Sequence, residues 1–240
     1  MKNKLAIIVP AFNESKNIFR VINEIKQINT PLYFEIIVIN DGSSDNTANI
    51  VKSQGVNLIS HPVNLGAGAA IQTGLKYAAE NHHQMAVIID GDGQHNPEEV
   101  PKLVASMQES RADVVIGSRF LKKGRGRIHW ARRAGIFLFS KIVLVLCRQK
   151  ITDTTSGYRL YNARAIHHLA REIPLDFPDA DMLISLILSG FKVIEVPVTT
   201  NERVAGQSMY SFLRSTYYPF KVLISIIAVL TRKIFAGRKK

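Results

Sequence analysis

Met85-Ala86-Val87-Ile88-Ile89-Asp90-Gly91-Asp92-Gly93-Gln94 is five apolar residues followed at once by acid, glycine and amide. An unbroken apolar run of that length reads as a strand covered on both faces, since a strand with one wet face alternates instead. Further strands are read at 5–9, 34–39, 56–59 and 114–116. Helical patterns lie between them. Ile18, Val21, Ile22, Ile25 and Ile28 form one stripe, and 68–80 and 98–108 read as helices. Asp45 or Ser44 is placed to cap the helix after the second strand. A β-α-β-α order implies an α/β fold with a doubly wound, mostly parallel sheet. Such sheets bind ligands at the carboxyl ends of their strands. The unusual polar residues fall at those ends: Asn13-Glu14 after the first strand, Asp41 after the second, Asp90 after the fourth.

The second half is less regular. Residues 134–147 are apolar around Ser140-Lys141, 152–161 read as loop and strand, and 163–171 and 181–189 as helices. Residues 191–198 form a strand whose Pro197 marks a sheet edge. Residues 219–235 read as a helix with Pro219 in its first turn. No internal repeat or low-complexity linker interrupts the chain. The expected organisation is a catalytic domain over 1–210 and an apolar helix with a basic tail over 211–240.

At 240 residues with 46% hydrophobic and 21% charged residues, the chain has the composition of a folded globular protein. The lone Cys147 makes no internal disulfide and fits a reducing compartment. The apolar run at 5–9 is too short for a secretory signal, and no stretch approaches the roughly 20 apolar residues needed to cross a bilayer. The net charge of +12 needs a partner. Seven Lys/Arg and no acid fall in 119–133, and five more without an acid in 232–240. Both clusters adjoin apolar stretches, which favours a membrane surface or membrane protein over nucleic acid. Past Phe120 at its start, the basic run also lacks interleaved stacking aromatics beyond Trp130.

In an extended segment Asp90, Asp92 and Gln94 would share a face, and their oxygens suit Mg²⁺ or Mn²⁺, ions that bridge diphosphate oxygens. Gly91 lets a ligand approach the backbone. A plain Asp/Gly turn is the alternative. Asp41 is placed to accept hydrogen bonds from a base or ribose, or simply to form a turn; Glu14 equally suits a helix start. Gly66-Ala67-Gly68 is no dinucleotide fingerprint, because position 71 is Ile71. His82-His83 and His167-His168 lack zinc spacing, and His95 reads as support for its loop.

Taken in order, Val9-Pro10-Ala11-Phe12-Asn13-Glu14, Asn40-Asp41-Gly42-Ser43-Ser44-Asp45-Asn46-Thr47, Asp90-Gly91-Asp92-Gly93-Gln94-His95-Asn96-Pro97-Glu98 and Gly117-Ser118-Arg119 resemble family 2 glycosyltransferases of the GT-A fold. The branch most similar is that of the dolichyl- and polyprenyl-phosphate sugar synthases. The resemblance spans about residues 5–210. It implies that Pro10, Phe12, Glu14, Ile39 and Asp41 line a nucleoside pocket. It also implies that Asp90, Gly91 and Asp92 hold the sugar-nucleotide, with Asp90, Asp92 and Gln94 on the metal. Arg119 and Arg203 would meet phosphates, as a guanidinium fork suits. Two positions depart from the family pattern: Asn40 stands where an Asp is frequent, and Met209 where the lipid-phosphate synthases carry a basic residue.

The expected enzyme is thus a metal-dependent hexosyltransferase that inverts the anomeric centre, peripheral on the cytoplasmic face of a membrane. Arg203, with the metal coordinated by Asp92, would stabilise charge on the leaving diphosphate. A polyprenyl-phosphate acceptor is already anionic and needs no strong base. A saccharide hydroxyl would need one, for which Asp181 is chosen over Asp179, although Asp181 equally suits an N-cap. The apolar segment 222–230 is too short to span and would lie in the interface; 134–147 does the same or packs in the core. Nucleotidyl transfer and non-catalytic sugar-nucleotide binding are the rival functions. The first lacks a basic phosphate loop after strand one, and the retained Asp90/Asp92 pair argues against the second.

Overall fold

A computed structural model of the protein describes residues 4–121, 130–172, 179–201 and 222–231. The elements run β1 (Lys4–Ala11), α1 (Ile18–Lys26), β2 (Tyr33–Asn40), α2 (Thr47–Ser53), β3 (Asn57–Ser60), α3 (Ala67–Glu80) and β4 (Met85–Ile88). A 3-10 turn (Pro97–Glu99) leads into α4 (Val100–Ser110), then β5 (Val114–Ser118), α5 (Trp130–Cys147), β6 (Arg159–Asn162), α6 (Ala163–Arg171), α7 (Ala180–Leu188) and β7 (Val193–Pro197). A last helix, α8, covers 222–231.

The seven strands form one sheet in the order β3-β2-β1-β4-β6-β5-β7. β1 pairs in parallel with β2 and β4, β2 with β3, and β5 with β7. β6 alone runs antiparallel, wedged between β4 and β5. This is the expected mixed α/β, mostly parallel sheet, with β7 and its Pro197 at an edge. The connection order reverses between β1 and β4, and at such a switch point α/β sheets bind ligands in a crevice at the carboxyl ends of the strands.

β1 from Leu5 to Val9 and β4 read as unbroken apolar runs because both faces are covered. Leu5, Ile7 and Val9 pack with α1, α2 and α4. Ala6 and Ile8 pack with α3 and the α5–α7 layer. Each fully buried Ile contributes about 1.5–3 kcal/mol. Pro10 lies past the end of the β4 ladder, whose last pair is Ile8 with Ile88, a position where a missing N–H is tolerated. α8 docks through Val222 and Ile226 into the same core as Phe139, Val143, Leu183 and Ile184, leaving Ile224 and Ile227 exposed. Among the described residues no helix is long and apolar enough to cross a membrane.

The end of the sheet opposite the crevice is closed by a polar staple. Glu35 of β2 meets Lys4 Nζ at 2.7 Å, the Tyr77 hydroxyl at 2.8 Å, His83 Nε2 at 3.1 Å and the Asn57 amide. Burial alone would raise the Glu35 pKa, but hydrogen bonds from Lys4 and Tyr77 and the nearby positive charge hold it below its ordinary 4.5. Burial and then the charge of Lys4 push the His83 pKa below its ordinary 6.5. Both folded values lie below the unfolded ones, so the unfolded chain binds more protons and acid destabilises the fold. Stability should therefore decline first as pH falls below 6.5 and again below 4.5. Glu35→Gln should lose about 1–2 kcal/mol at neutral pH and flatten the second decline, as read by urea unfolding across that range.

Candidate active site

The strand β4 ends in a turn. Gly93 N bonds Asp90 O at 3.3 Å, and Gly93 takes φ +79. The segment 90–94 is therefore not extended, and the expectation that alternation puts Asp90, Asp92 and Gln94 on one face is corrected. The turn acts instead by folding the three onto one short loop. Asp92 is buried, and its Oδ1 accepts Gln94 N at 2.9 Å; Gln94 is exposed. The Asp90 side chain is 43% exposed. A Cβ on Gly91 would stand 3.0 Å from Pro10 O, whose bond from Gly91 N measures 3.2 Å. Glycine is thus what lets the turn lie against β1.

His95 buckles this loop, as its sequence context suggested. Its Nδ1 accepts the Asp90 N–H at 3.1 Å and its Nε2 lies 3.4 Å from Asp90 Oδ2. The ring stacks on Tyr158 at 4.7 Å, and the Tyr158 hydroxyl donates to Asn96 O at 2.8 Å. Asn201 N bonds Gln94 O at 2.9 Å, so the chain leading towards residue 203 departs from this same loop. Arg203 and Met209 lie outside the described residues, as do 122–129 and the tail 232–240.

The loops after β1 and β2 are knitted together. Asn13 N donates to Ser43 Oγ, Ser44 N to Asn13 Oδ1, Glu14 N to Thr47 Oγ1 and Ser15 N to Asp45 Oδ2. Asp45 also accepts Thr47 N at 3.0 Å, close to the expected capping role, although Asn46 holds the cap position. Glu14 starts α1: its backbone oxygen accepts from Asn17 and Ile18, and its Oε2 from the Asn17 amide at 2.6 Å. Asp41 is buried and binds its own protein, with Oδ1 taking His61 Nδ1 at 2.7 Å and Leu65 N at 2.9 Å, and Oδ2 taking Gly66 N at 2.8 Å. Phe12 is exposed beside it, and Pro10 half-buried. Ile39 is corrected: it is fully enclosed in the core with Ile8 and Ile37, because alternation turns its side chain inward. It cannot line a pocket.

Arg119 at the end of β5 is also committed. Its Nε and Nη2 grip Asp153 at 2.8 Å each, Nη2 reaches Thr155 Oγ1 at 3.1 Å, and its backbone N–H adds a further bond to Asp153. Asp153 has no exposed side-chain surface. Glu195 of β7 fixes it in turn by accepting its N–H at 2.8 Å. Burial opposes the charge on Arg119, but Asp153, then Asp179 and Asp90, hold its pKa above the ordinary 12.5. Those electrostatic couplings gather Asp90, Asp153, Asp179 and Arg119 at one place. Asp153, Glu195 and His61 went unrecognised in the sequence. The only signal for Asp153 was a single acid inside the hydroxyl run Thr152-Asp153-Thr154-Thr155-Ser156.

Asp181 is likewise corrected. It lies buried in the first turn of α7, with Oδ1 accepting Met182 N at 2.9 Å and Oδ2 the Ser225 hydroxyl of α8. Burial raises its pKa. It ties α8 to α7 and is enclosed, whereas the charge of Asp179, the N-cap of α7, reaches Arg119.

The donor set fits a hard divalent cation. Among the described residues no group of three His, Cys, Asp or Glu converges. What remains is carboxylate and amide oxygen on a short turn, the pattern of an ion that shares its shell with phosphate. Asp153, Asp179 and Asp90 all favour the charge on Arg119, and a cation held nearby would add positive charge for a diphosphate. Asp41 and Asp90 stand two strands apart, about 10 Å, a span that suits a nucleoside joined to its phosphates.

The sequence description of "Glycosyl transferase family 2" matches residues 6–170. The chain belongs to that family. It is similar to the UDP-N-acetylglucosamine--dolichyl-phosphate N-acetylglucosaminyltransferase of Methanococcus voltae, at 29% identity over 98% of this chain and 99% of that protein. It is similar also to the polyprenol monophosphomannose synthase of Mycolicibacterium smegmatis, at 28% over 90% and 84%. Among solved structures it resembles glucosyl-3-phosphoglycerate synthase from Mycobacterium tuberculosis in complex with Mn²⁺, UDP-glucose and phosphoglyceric acid. There the TM-score is 0.70 at 20% identity, over 95% of this chain and 79% of that one. That likeness establishes a shared GT-A fold.

This glycosyltransferase should respond to Arg119→Ala as to the loss of a buried ion pair. Removal of the guanidinium strands Asp153 in the interior, at a cost of about 3–5 kcal/mol. Urea unfolding measures it. A surface phosphate contact would leave the unfolding midpoint in place.

Proposed function

We propose that this family 2 glycosyltransferase moves a hexose from a nucleotide-diphosphate sugar to a polyprenyl phosphate, with inversion, at the cytoplasmic face of a membrane. The crevice beside Pro10, Phe12, Glu14 and Asp41 would take the nucleoside. Asp90, Asp92 and Gln94 would hold Mg²⁺ or Mn²⁺ against the diphosphate, with Gly91 letting it approach. Bound there, the ion would supply positive charge to the leaving group. Arg203 would supply more, and Nη1 of Arg119, which takes no part in the Asp153 and Thr155 bonds, would face the phosphates. The relatives that act on dolichyl or polyprenyl phosphate, and the solved neighbour with Mn²⁺ and a UDP-sugar, support the donor and acceptor classes.

The observation that carries the lipid acceptor is where α8 sits. Its Ser225 bonds Asp181, two residues from Asp179, so an apolar helix meets the edge of the cleft. Ile224 and Ile227 of α8 and Phe137, Leu138, Leu144 and Val145 of α5 are exposed. Lys141 Nζ lies 5.4 Å from the Phe137 ring, in the manner of a cation that keeps its head at a lipid interface. An anionic acceptor also needs no general base, which agrees with the enclosure of Asp181. A saccharide hydroxyl is the second reading, and Asp179 would then be the carboxylate within reach.

Purified protein given labelled nucleotide-sugars, Mg²⁺ or Mn²⁺ and polyprenyl phosphate should move label into the organic phase. Label appearing only in water-soluble saccharide would shift the acceptor to a hydroxyl. Asp92→Ala should lower turnover by about a hundredfold or more, with chelator abolishing activity in the parent. Undiminished turnover in that variant defeats the metal assignment. With anionic vesicles the protein should co-float, and a paired Phe137→Ser and Val145→Ser change should weaken flotation without altering the soluble fold.

A further inference from the structure

We infer that His61 selects the nucleobase of the donor: it occupies Asp41 so fully that a single ring N–H can be met, which admits uridine diphosphate and disfavours guanosine diphosphate. The inference rests on the nucleotide-sugar reading above and narrows it. A carboxylate offers about four lone-pair positions, two on each oxygen. On Asp41, Oδ1 spends both, on His61 Nδ1 at 2.7 Å and Leu65 N at 2.9 Å. Oδ2 spends one, on Gly66 N at 2.8 Å. One position is left, on Oδ2.

The arrangement is held from all sides. Asp41 is only 3% exposed and its own N–H bonds Ala11 O at 2.9 Å, so the side chain cannot swing to free a second site. His61 N bonds Asn40 O at 2.9 Å, and His61 Nε2 lies 2.9 Å from Thr73 Oγ1 on α3. The carboxylate only accepts, so Nδ1 donates to it, while Nε2 pairs with the Thr73 hydroxyl. The ring cannot turn without losing both bonds. A side chain on Gly42 would collide with the Val63 backbone, so the loop carrying His61 and Leu65 is pressed down over Asp41.

The bases differ in what they bring to such a group. Guanine presents a ring N–H and an amine side by side, a pair that needs both oxygens open. Uracil presents one ring N–H between two carbonyls. Cytosine and adenine present a ring acceptor there, which faces the carboxylate unfavourably. Leu65, whose N–H bonds Asp41, and Phe12, which follows the Ala11 carbonyl that accepts the Asp41 N–H, are both exposed apolar side chains available to a planar ring. A guanine docked here would leave one of its donors unmet, and a site that leaves a buried polar group unpaired discriminates strongly.

Titration calorimetry of the full chain with Mn²⁺ decides the matter. UDP should bind on the order of tenfold or more tighter than GDP. His61→Ala reopens a position on Oδ1, so the UDP-to-GDP ratio should fall several-fold towards one, whereas His61→Gln, whose amide restores a donor to Asp41, should keep it. A pocket merely loosened by His61→Ala would weaken both nucleotides alike and leave the ratio unchanged, which overturns the role given to His61. GDP binding as well as UDP in the parent overturns the selectivity and leaves the nucleotide site standing. Binding of neither overturns the donor-site reading together with this one.

Discussion

The hydrogen bond from Gly91 N to Pro10 O is the point at which the fold becomes a site. Up to Ile88 the chain at this seam is a parallel ladder between β1 and β4, with every side chain buried on one layer or the other. One bond later β4 must leave the sheet, yet its exit has to stay against β1 if the next carboxylates are to overlook the crevice. Ile89 N to Ile8 O and Gly91 N to Pro10 O keep it there, and a Cβ at position 91 would crowd the Pro10 carbonyl at 3.0 Å. His95 then closes the turn on itself by taking the Asp90 N–H. The openness of Asp90 and the enclosure of Asp92 both follow from that pinned exit.

A second regularity is that charges near the crevice mostly serve the protein before any ligand. Asp41 fixes the loop over α3, Arg119 neutralises the buried Asp153, and Asp181 joins two helices. Magnitudes explain why. An unpaired buried ion costs several kcal/mol, more than a ligand contact returns, so interior carboxylates and guanidinia find partners within the fold. Such satisfied groups still act on a ligand by holding loops in place and by limiting how many hydrogen bonds remain on offer. Preorganisation of this kind avoids reordering when the ligand arrives.

Much of the fold was legible in the sequence, because burial on both faces leaves a pattern that survives without knowledge of neighbours. The runs at 5–9, 34–39 and 85–89, the stripe of isoleucines on α1 and Pro197 at an edge all became the expected elements. The antiparallel insertion of β6 between β4 and β5 was not legible, since strand order depends on pairings such as Val87 with Leu160, far apart in the chain. The site divided along the same line. Asp90, Asp92 and Gln94 share a turn because they are neighbours in sequence. Asp153 stayed hidden because Arg119, which gives it meaning, lies 34 residues away. Ile39 was misplaced for a different reason: family position says which strand borders a pocket, whereas alternation decides which of its side chains can face it.

The apolar helices bring the two halves of the molecule into one physical picture. α8 buries Val222 and Ile226 in the core formed by α5 and α7 while Ile224 and Ile227 remain outside. Val229 and Leu230 are half-buried against the same core and Ser225 adds a hydroxyl contact, so Ile224 and Ile227 are the large apolar side chains this helix leaves exposed among its described residues. The hydroxyl contact falls on Asp181, whose burial raises its pKa and whose helix begins at Asp179 in the field of Arg119. Any surface that covers the outer face of α8 therefore also secures the carboxylate beneath it and the helix start beside the cleft. The same few contacts that anchor the helix thus set how the cleft meets whatever lies against it.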